Sequence, residues 1–109
     1  MNDFSDDLRE AIKQSIYNEN SIVDEELVLP YEENDSHIEI SFVNNGDKNF
    51  NIQWVYNIAT IGSNEDESNY DNIDDACSCV LQVYQVWYNE VASLWSLEKN
   101  IEKRLMSLL

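Results

Sequence analysis

The sequence predicts an α+β fold in a single acidic domain over residues 1–109: an N-terminal helix, an antiparallel β-hairpin or small three-stranded sheet, and a long or broken C-terminal helical segment. Three patterns predict it. Apolar residues recur four apart in residues 4–18, alternate singly through residues 38–42 and 50–58, and return to helical spacing from residue 73 onward. A chain of 109 residues with 43% hydrophobic content is long enough for one core, and two glycines with a single proline, Pro30, leave no flexible linker.

Phe4, Leu8, Ile12 and Ile16 form the stripe of the first helix, residues 4–18, with Ala11 beside it. Asp3, Asp6 and Asp7 fall where a helix N-terminus favours negative charge, and Arg9 and Lys13 follow. The helix is expected to end by Asn18 to Ser21. Leu27-Val28-Leu29 before Pro30 reads as a short strand, placed at an edge because proline donates no ladder hydrogen bond.

In residues 37–43 Ile38, Ile40 and Phe42 alternate with Glu39 and Ser41, which describes a strand covered on one face. Asn44-Asn45-Gly46-Asp47 is a turn signal, and Phe50, Ile52, Trp54, Tyr56 and Ile58 give a second strand. Opposed residues share a face, so an Asn45-Gly46 loop would place the two apolar sets on opposite faces. A loop with an odd number of residues, three or five, aligns them. The expected register pairs Phe42 with Phe50, Ile40 with Ile52 and Ile38 with Trp54 around a loop of Asn45 to Asp47.

Ser63 to Asp71 is polar and acidic and reads as a loop, after which Asn72 with Asp75 resembles a helix cap. Ala76, Val80, Tyr84, Trp87, Val91, Leu94, Ile101, Leu105 and Leu108 then keep helical spacing. One unbroken helix over residues 73–109 would span roughly 55 Å, far beyond the roughly 13 Å radius of gyration of a compact domain of this size. A break near Ser93 to Ser96 is expected.

Charge is the outlying property. Twenty-two Asp and Glu against six Lys and Arg give a net charge of −16, where a magnitude of roughly 2 to 8 keeps a small domain soluble. Residues 1–76 hold 19 acids and 3 bases, while residues 77–109 hold 3 of each. Such a field opposes compaction and steers cationic partners. Direct binding to nucleic acid and catalysis by a recognisable motif are both disfavoured: there is no phosphate-cradling glycine loop, and His37, the only histidine, begins a strand with no nucleophile motif near it. It reads as a surface histidine. Cys77 and Cys79 lack a second ligand pair for zinc and read as reduced thiols on a helix. Asn64, Asp66, Ser68, Tyr70, Asn72 and Asp75 faintly follow a calcium loop, but Asn69 stands where that loop needs glycine. No metal or cofactor is expected, and with neither a leader-like start nor a long apolar run the chain reads as cytoplasmic.

The candidate partner-binding residues are therefore the acidic clusters: Asp24, Glu25 and Glu26; Glu32, Glu33 and Asp35; Glu65, Asp66 and Glu67; and Asp71, Asp74 and Asp75. Carboxylates spaced like phosphates can occupy a basic groove built for nucleic acid. Tyr84, Trp87, Tyr88 and Trp95 are core candidates, although Trp87 and Tyr88 are adjacent on a helix, which would leave one as a surface anchor.

An acidic N-terminal helix, a hairpin through Phe42-Val43-Asn44-Asn45-Gly46 and a C-terminal helix resemble the small acidic inhibitors that bacteriophages direct at host defence, anti-CRISPR and DNA-mimicking anti-restriction proteins among them. The chain departs from them in its long, aromatic, charge-neutral final segment, so the resemblance assigns no residue a role. It implies an inhibitor acting in the host bacterial cell on the basic nucleic-acid-binding surface of a CRISPR effector nuclease or similar enzyme. Two alternatives from other classes are an immunity protein against a basic toxin, and a structural protein that oligomerises through residues 80–109. Assembly lost on Leu105→Asp is the expected mark of the second.

Overall fold

A computed structural model describes residues 4–18, 21–27, 36–44, 50–58, 61–95 and 100–109. In chain order these form α1 (Asp6–Asn18), β1 (Ser21–Leu27), β2 (Ser36–Asn44), β3 (Phe50–Ile58), β4 (Gly62–Tyr70), α2 (Ile73–Trp95) and α3 (Ile101–Leu108). The strands make one antiparallel sheet in the order β1-β2-β3-β4. All three helices lie on one of its faces. This is the expected α+β layout with one strand more than the sequence announces.

α1 buries Leu8, Ile12 and Ile16 along the stripe read from its spacing. Its first turn is capped by Ser5, whose Oγ accepts the Leu8 N–H at 3.2 Å. The Ser5 N–H donates in turn to Glu102 Oε1 on α3 at 2.6 Å, which joins the start of α1 to the end of the chain. α2 begins at the predicted cap: Asn72 Oδ1 accepts the Asp75 N–H at 2.8 Å, and Asn72 Nδ2 donates back to the Asp75 carboxylate at 2.9 Å. α2 ends at Trp95, and α3 starts after Asn100, whose side chain accepts the Lys103 N–H. The C-terminal segment is thus broken where its length required, and the radius of gyration is 14.0 Å.

The predicted hairpin forms with its apolar sets on one face, but two residues out of the expected register. Phe42 pairs with Ile52, Ile40 with Trp54 and Ile38 with Tyr56. The Asn44–Phe50 pair closes a connection of five residues in place of the predicted three. Both lengths satisfy the alternation, so the pattern fixes the face and packing chooses the slip. Phe42 and Phe50 still meet diagonally, their rings 5.8 Å apart and stacked.

Two further strands correct the sequence reading. An edge strand, β1, runs over Ser21–Leu27, ahead of the strand expected at Leu27-Val28-Leu29 and sharing only Leu27 with it; Val28, Leu29 and Pro30 fall outside the described residues. Residues 63–71, expected as a loop, instead supply β4, paired with β3 from Phe50–Tyr70 to Ile58–Gly62. Gly62 takes a φ of +142° where the chain turns into this strand, a conformation only glycine adopts without strain. The residues with calcium-like spacing therefore lie mostly along an extended strand, which cannot wrap an ion as a loop does.

The core lies between sheet and helices. Val23, Ile38, Ile40, Phe42, Phe50 and Ile52 meet Leu8, Ile12, Val80, Tyr84, Trp87, Val91 and Leu105. Trp87 and Tyr88 are both buried, so neither is the surface anchor that their adjacency suggested. The Trp87 indole N–H donates to the Asn57 carbonyl on β3 at 3.1 Å, whereas Tyr88 stacks on Tyr84 and carries the Arg104 guanidinium 5.3 Å from its ring centre. α2 is enclosed on more than one side: the sheet and α1 pack against it, and Arg104 of α3 lies over Tyr88. The same enclosure buries Cys77 and Cys79 as free thiols, although they leave the helix in different directions.

Candidate functional site: an open acidic sheet face

Because strand side chains alternate, the face that does not receive the helices carries the other half of each strand. On β1 these are Asp24 and Glu26; on β2, His37, Glu39 and Ser41; on β3, Gln53 and Val55; on β4, Glu65 and Glu67. Asp24, Glu26, Glu39, Glu65 and Glu67 are all exposed. A shallow trough of about 360 Å³ crosses this face, lined by Glu39, Ser41, Gln53, Trp54, Val55, Glu65, Asp66 and Glu67.

The charge is segregated between the layers. Among the described residues, every Lys and Arg, namely Arg9, Lys13, Lys103 and Arg104, stands on α1 or α3 and none on the sheet. Carboxylates concentrate on the outer strands, with Asp24 and Glu26 at one edge and Glu65 and Glu67 at the other. Three interstrand spacings separate those two rows by roughly 14 Å, and carboxylates two residues apart along a row are roughly 6.7 Å apart. The right-handed twist turns one row relative to the other.

Hydrogen bonds hold parts of this surface. Gln53 Nε2 donates to Glu67 Oε2 at 3.3 Å, and His37 Nε2 lies 2.9 Å from Asp24 Oδ1. Glu39 contributes although the acidic clusters did not include it. Its signal was present in the alternation with Ile38 and Ile40, which turns it away from the core.

The remaining predicted residues lie elsewhere. Glu25 is a correction: it is buried, and its carboxylate is engaged inside the protein, so it is not a surface ligand for a partner. The Tyr84 hydroxyl donates to Glu25 Oε1 at 2.7 Å, and Arg104 Nε lies 3.0 Å from Oε2 in an ion pair whose N–H is not aligned for a hydrogen bond. Burial and the neighbouring Glu25 both push the Tyr84 hydroxyl well above its ordinary pKa. Asp66 is exposed and borders the trough, but it is paired with Trp54 and so alternates away from Glu65 and Glu67. Asp71, Asp74 and Asp75 gather at the start of α2, away from the trough. Asp74 pairs with Lys13, which holds its carboxyl below the usual range, and Asp75 serves the Asn72 cap. Glu32, Glu33 and Asp35 lie outside the described residues.

Of the twelve predicted ligands, the structure thus brings Asp24, Glu26, Glu65 and Glu67 onto one face and adds Glu39. The chain matches no family model, no curated protein and no solved structure. Among the described residues no helix is long and apolar enough to cross a membrane.

The apolar stripe of residues 80–109, read as a possible assembly surface, is largely spent within the chain. Val80, Tyr84, Trp87, Val91 and Leu105 are fully buried in its own core. Loss of assembly in Leu105→Asp therefore bears on association only where the variant is still folded.

Proposed function

We propose that this protein is an inhibitor whose open sheet face occupies the nucleic-acid-binding surface of a basic enzyme, a CRISPR effector nuclease or similar defence enzyme, with carboxylates standing in for phosphates. The observation that carries this reading is the segregation of charge: Asp24, Glu26, Glu39, Glu65 and Glu67 share one exposed face that holds no Lys or Arg among the described residues. Rows roughly 14 Å apart compare with a major groove of about 12 Å. Carboxylates roughly 6.7 Å apart along a row correspond to every second phosphate along the axis of one strand, at about 3.4 Å each. Backbone pairing holds the rows, so little order has to be gained on binding.

The test is a titration of the protein against a target-DNA complex of such a nuclease. DNA binding is expected to be displaced at low salt and less so at high salt, because the competing contact is itself electrostatic. DNA binding undiminished by excess protein overturns the reading. A tight complex with a basic toxin, without effect on any nucleic-acid-binding enzyme, replaces it with the immunity-protein alternative.

A further inference from the structure

On the same face, toward the β1 edge, three side chains of metal-ligating type converge. Asp24, His37 and Glu39 each offer one donor atom, and these atoms all lie within 4.8 Å of one another. It is the one such group among the described residues. The backbone explains why they meet. Asp24 and Glu39 are directly opposed across the β1–β2 ladder, and His37 is directly opposed to Glu26, so His37 sits diagonal to Asp24 on the same side of the sheet. The register shift between Ser21 and Val23 comes just before this group; past it, Val23 and Glu25 point inward and Asp24 and Glu26 outward.

We propose that Asp24, His37 and Glu39 form a surface binding site for a divalent transition-metal ion of the zinc class. The donor set is one imidazole nitrogen and two carboxylates. Imidazole favours zinc and its neighbours over magnesium or calcium, which take all-oxygen sites. Two carboxylates and a neutral imidazole balance a 2+ ion, and the net charge of −16 raises the local concentration of cations. Geometry requires little movement. Zinc with bonds of about 2.0–2.1 Å at tetrahedral angles holds neighbouring donors about 3.4 Å apart. His37 Nε2 and Asp24 Oδ1 are at 2.9 Å, so replacing the shared proton by the metal opens that pair slightly while Glu39 closes in. All three side chains are at least partly exposed, which leaves an entry path and a fourth position for water or for a donor from a partner.

The site does not rest on the inhibitor reading, since it requires only that these three side chains bind an ion. Its test is calorimetric titration of the full chain with zinc chloride, with excess magnesium present to occupy diffuse carboxylate sites. The expected result is one zinc per chain, with affinity reduced at least about tenfold by His37→Gln or Asp24→Asn. The paired control Glu65→Gln/Glu67→Gln, on the opposite edge, removes two acids and is expected to change affinity less than about threefold. Cobalt substitution adds a second readout: a weak visible spectrum without a thiolate charge-transfer band. Wild-type and His37→Gln chains binding zinc alike, a control losing as much as the ligand variants, or a thiolate band assigning the metal to Cys77 and Cys79, would each overturn the proposal.

Discussion

The Glu25 carboxylate, on an edge strand, accepts a 2.7 Å hydrogen bond from the Tyr84 hydroxyl in the middle of the long helix. One oxygen faces Tyr84 and the other faces Arg104 of α3, so a single acid joins three elements that are distant in sequence. Its partners explain why a carboxylate can be buried here at all. Tyr84→Phe, which removes one of them with almost no change of volume, is expected to destabilise the fold by about 1–3 kcal/mol in urea denaturation. Arg104→Met should lower stability in the same range, less than for a fully buried pair because the arginine side chain is one-third exposed. A double-mutant cycle should show the two losses to be coupled, because both act on one carboxylate. Additive losses would mean that Glu25 does not link them.

Charge reversal separates the sheet face from the helical acids. Glu65→Lys/Glu67→Lys is expected to weaken capture of a basic partner at least about tenfold at low salt, mostly through the association rate, and to flatten its salt dependence. Asp6→Lys/Asp7→Lys makes the same change in net charge on α1 and should have a much smaller effect. Lysine is the chosen replacement because it still guards an exposed strand edge against pairing with other chains. Surface plasmon resonance at two salt concentrations measures both quantities; equal losses from the two variants would assign the effect to net charge alone.

The edge itself makes a further prediction. β4 is nine residues long and ends the sheet, so its outer backbone groups form an open template. Glu65, Asp66 and Glu67 oppose edge-to-edge association by like-charge repulsion. Glu65→Val/Glu67→Val is expected to raise light scattering and thioflavin fluorescence on incubation at neutral pH, whereas the lysine variant stays clear. A valine variant that remained as clear as the lysine variant would show that the acids are not needed to protect this edge.

What the sequence disclosed and what it hid follow from how each element is stabilised. α1, β2 and β3 each bury one face, so Leu8-Ile12-Ile16 and Ile38-Ile40-Phe42 carry their own periodicity. The slip of two residues in the hairpin was illegible because two slips of the same parity bury the same side chains. β4 gave no signal at all: before Tyr70 it has no apolar residue, and its strand character comes from backbone pairing with β3. Glu25 was hidden among Asp24 and Glu26, although it lies two residues from Val23, with which it shares the inward face. His37 beside Asp24 and Glu39 depends on the β1–β2 register, which no local pattern encodes.

Raised pKa values predict weakness at alkaline pH. Burial pushes the Cys77 and Cys79 thiols above their ordinary 9.0, and burial with the adjacent Glu25 pushes the Tyr84 hydroxyl above its ordinary 10.0. A group whose folded pKa is raised adds stability that is complete below its unfolded value and is lost as pH climbs toward the folded one. Thermal unfolding from about pH 8 to about pH 11 should therefore show Tm falling from about pH 9 upward. The decline should be shallower in Tyr84→Phe and in Cys79→Ala, even where their Tm at neutral pH is lower. Equal slopes in wild type and both variants would place the alkaline weakness elsewhere.

Leu105 decides between two roles for the last helix. It is fully buried, and with Ile101 it forms the inward face of the eight-residue α3, closing the core beside Arg104 and Glu25. Leu105→Asp places an unpaired charge there and is expected to cost more than about 3 kcal/mol, enough to unfold a domain of marginal stability. Leu105→Ala, which leaves a cavity without a charge, should lose about 2–5 kcal/mol. Leu94→Asp is the contrasting change, since Leu94 is 44% exposed on α2 and its replacement should leave stability nearly unaltered. Circular dichroism combined with sedimentation separates the roles. Loss of structure in Leu105→Asp, with wild-type mass and spectrum in Leu94→Asp, marks residues 80–109 as the protein's own core. A folded Leu105→Asp chain of lower mass than wild type would instead show that the helix is buried against a second copy.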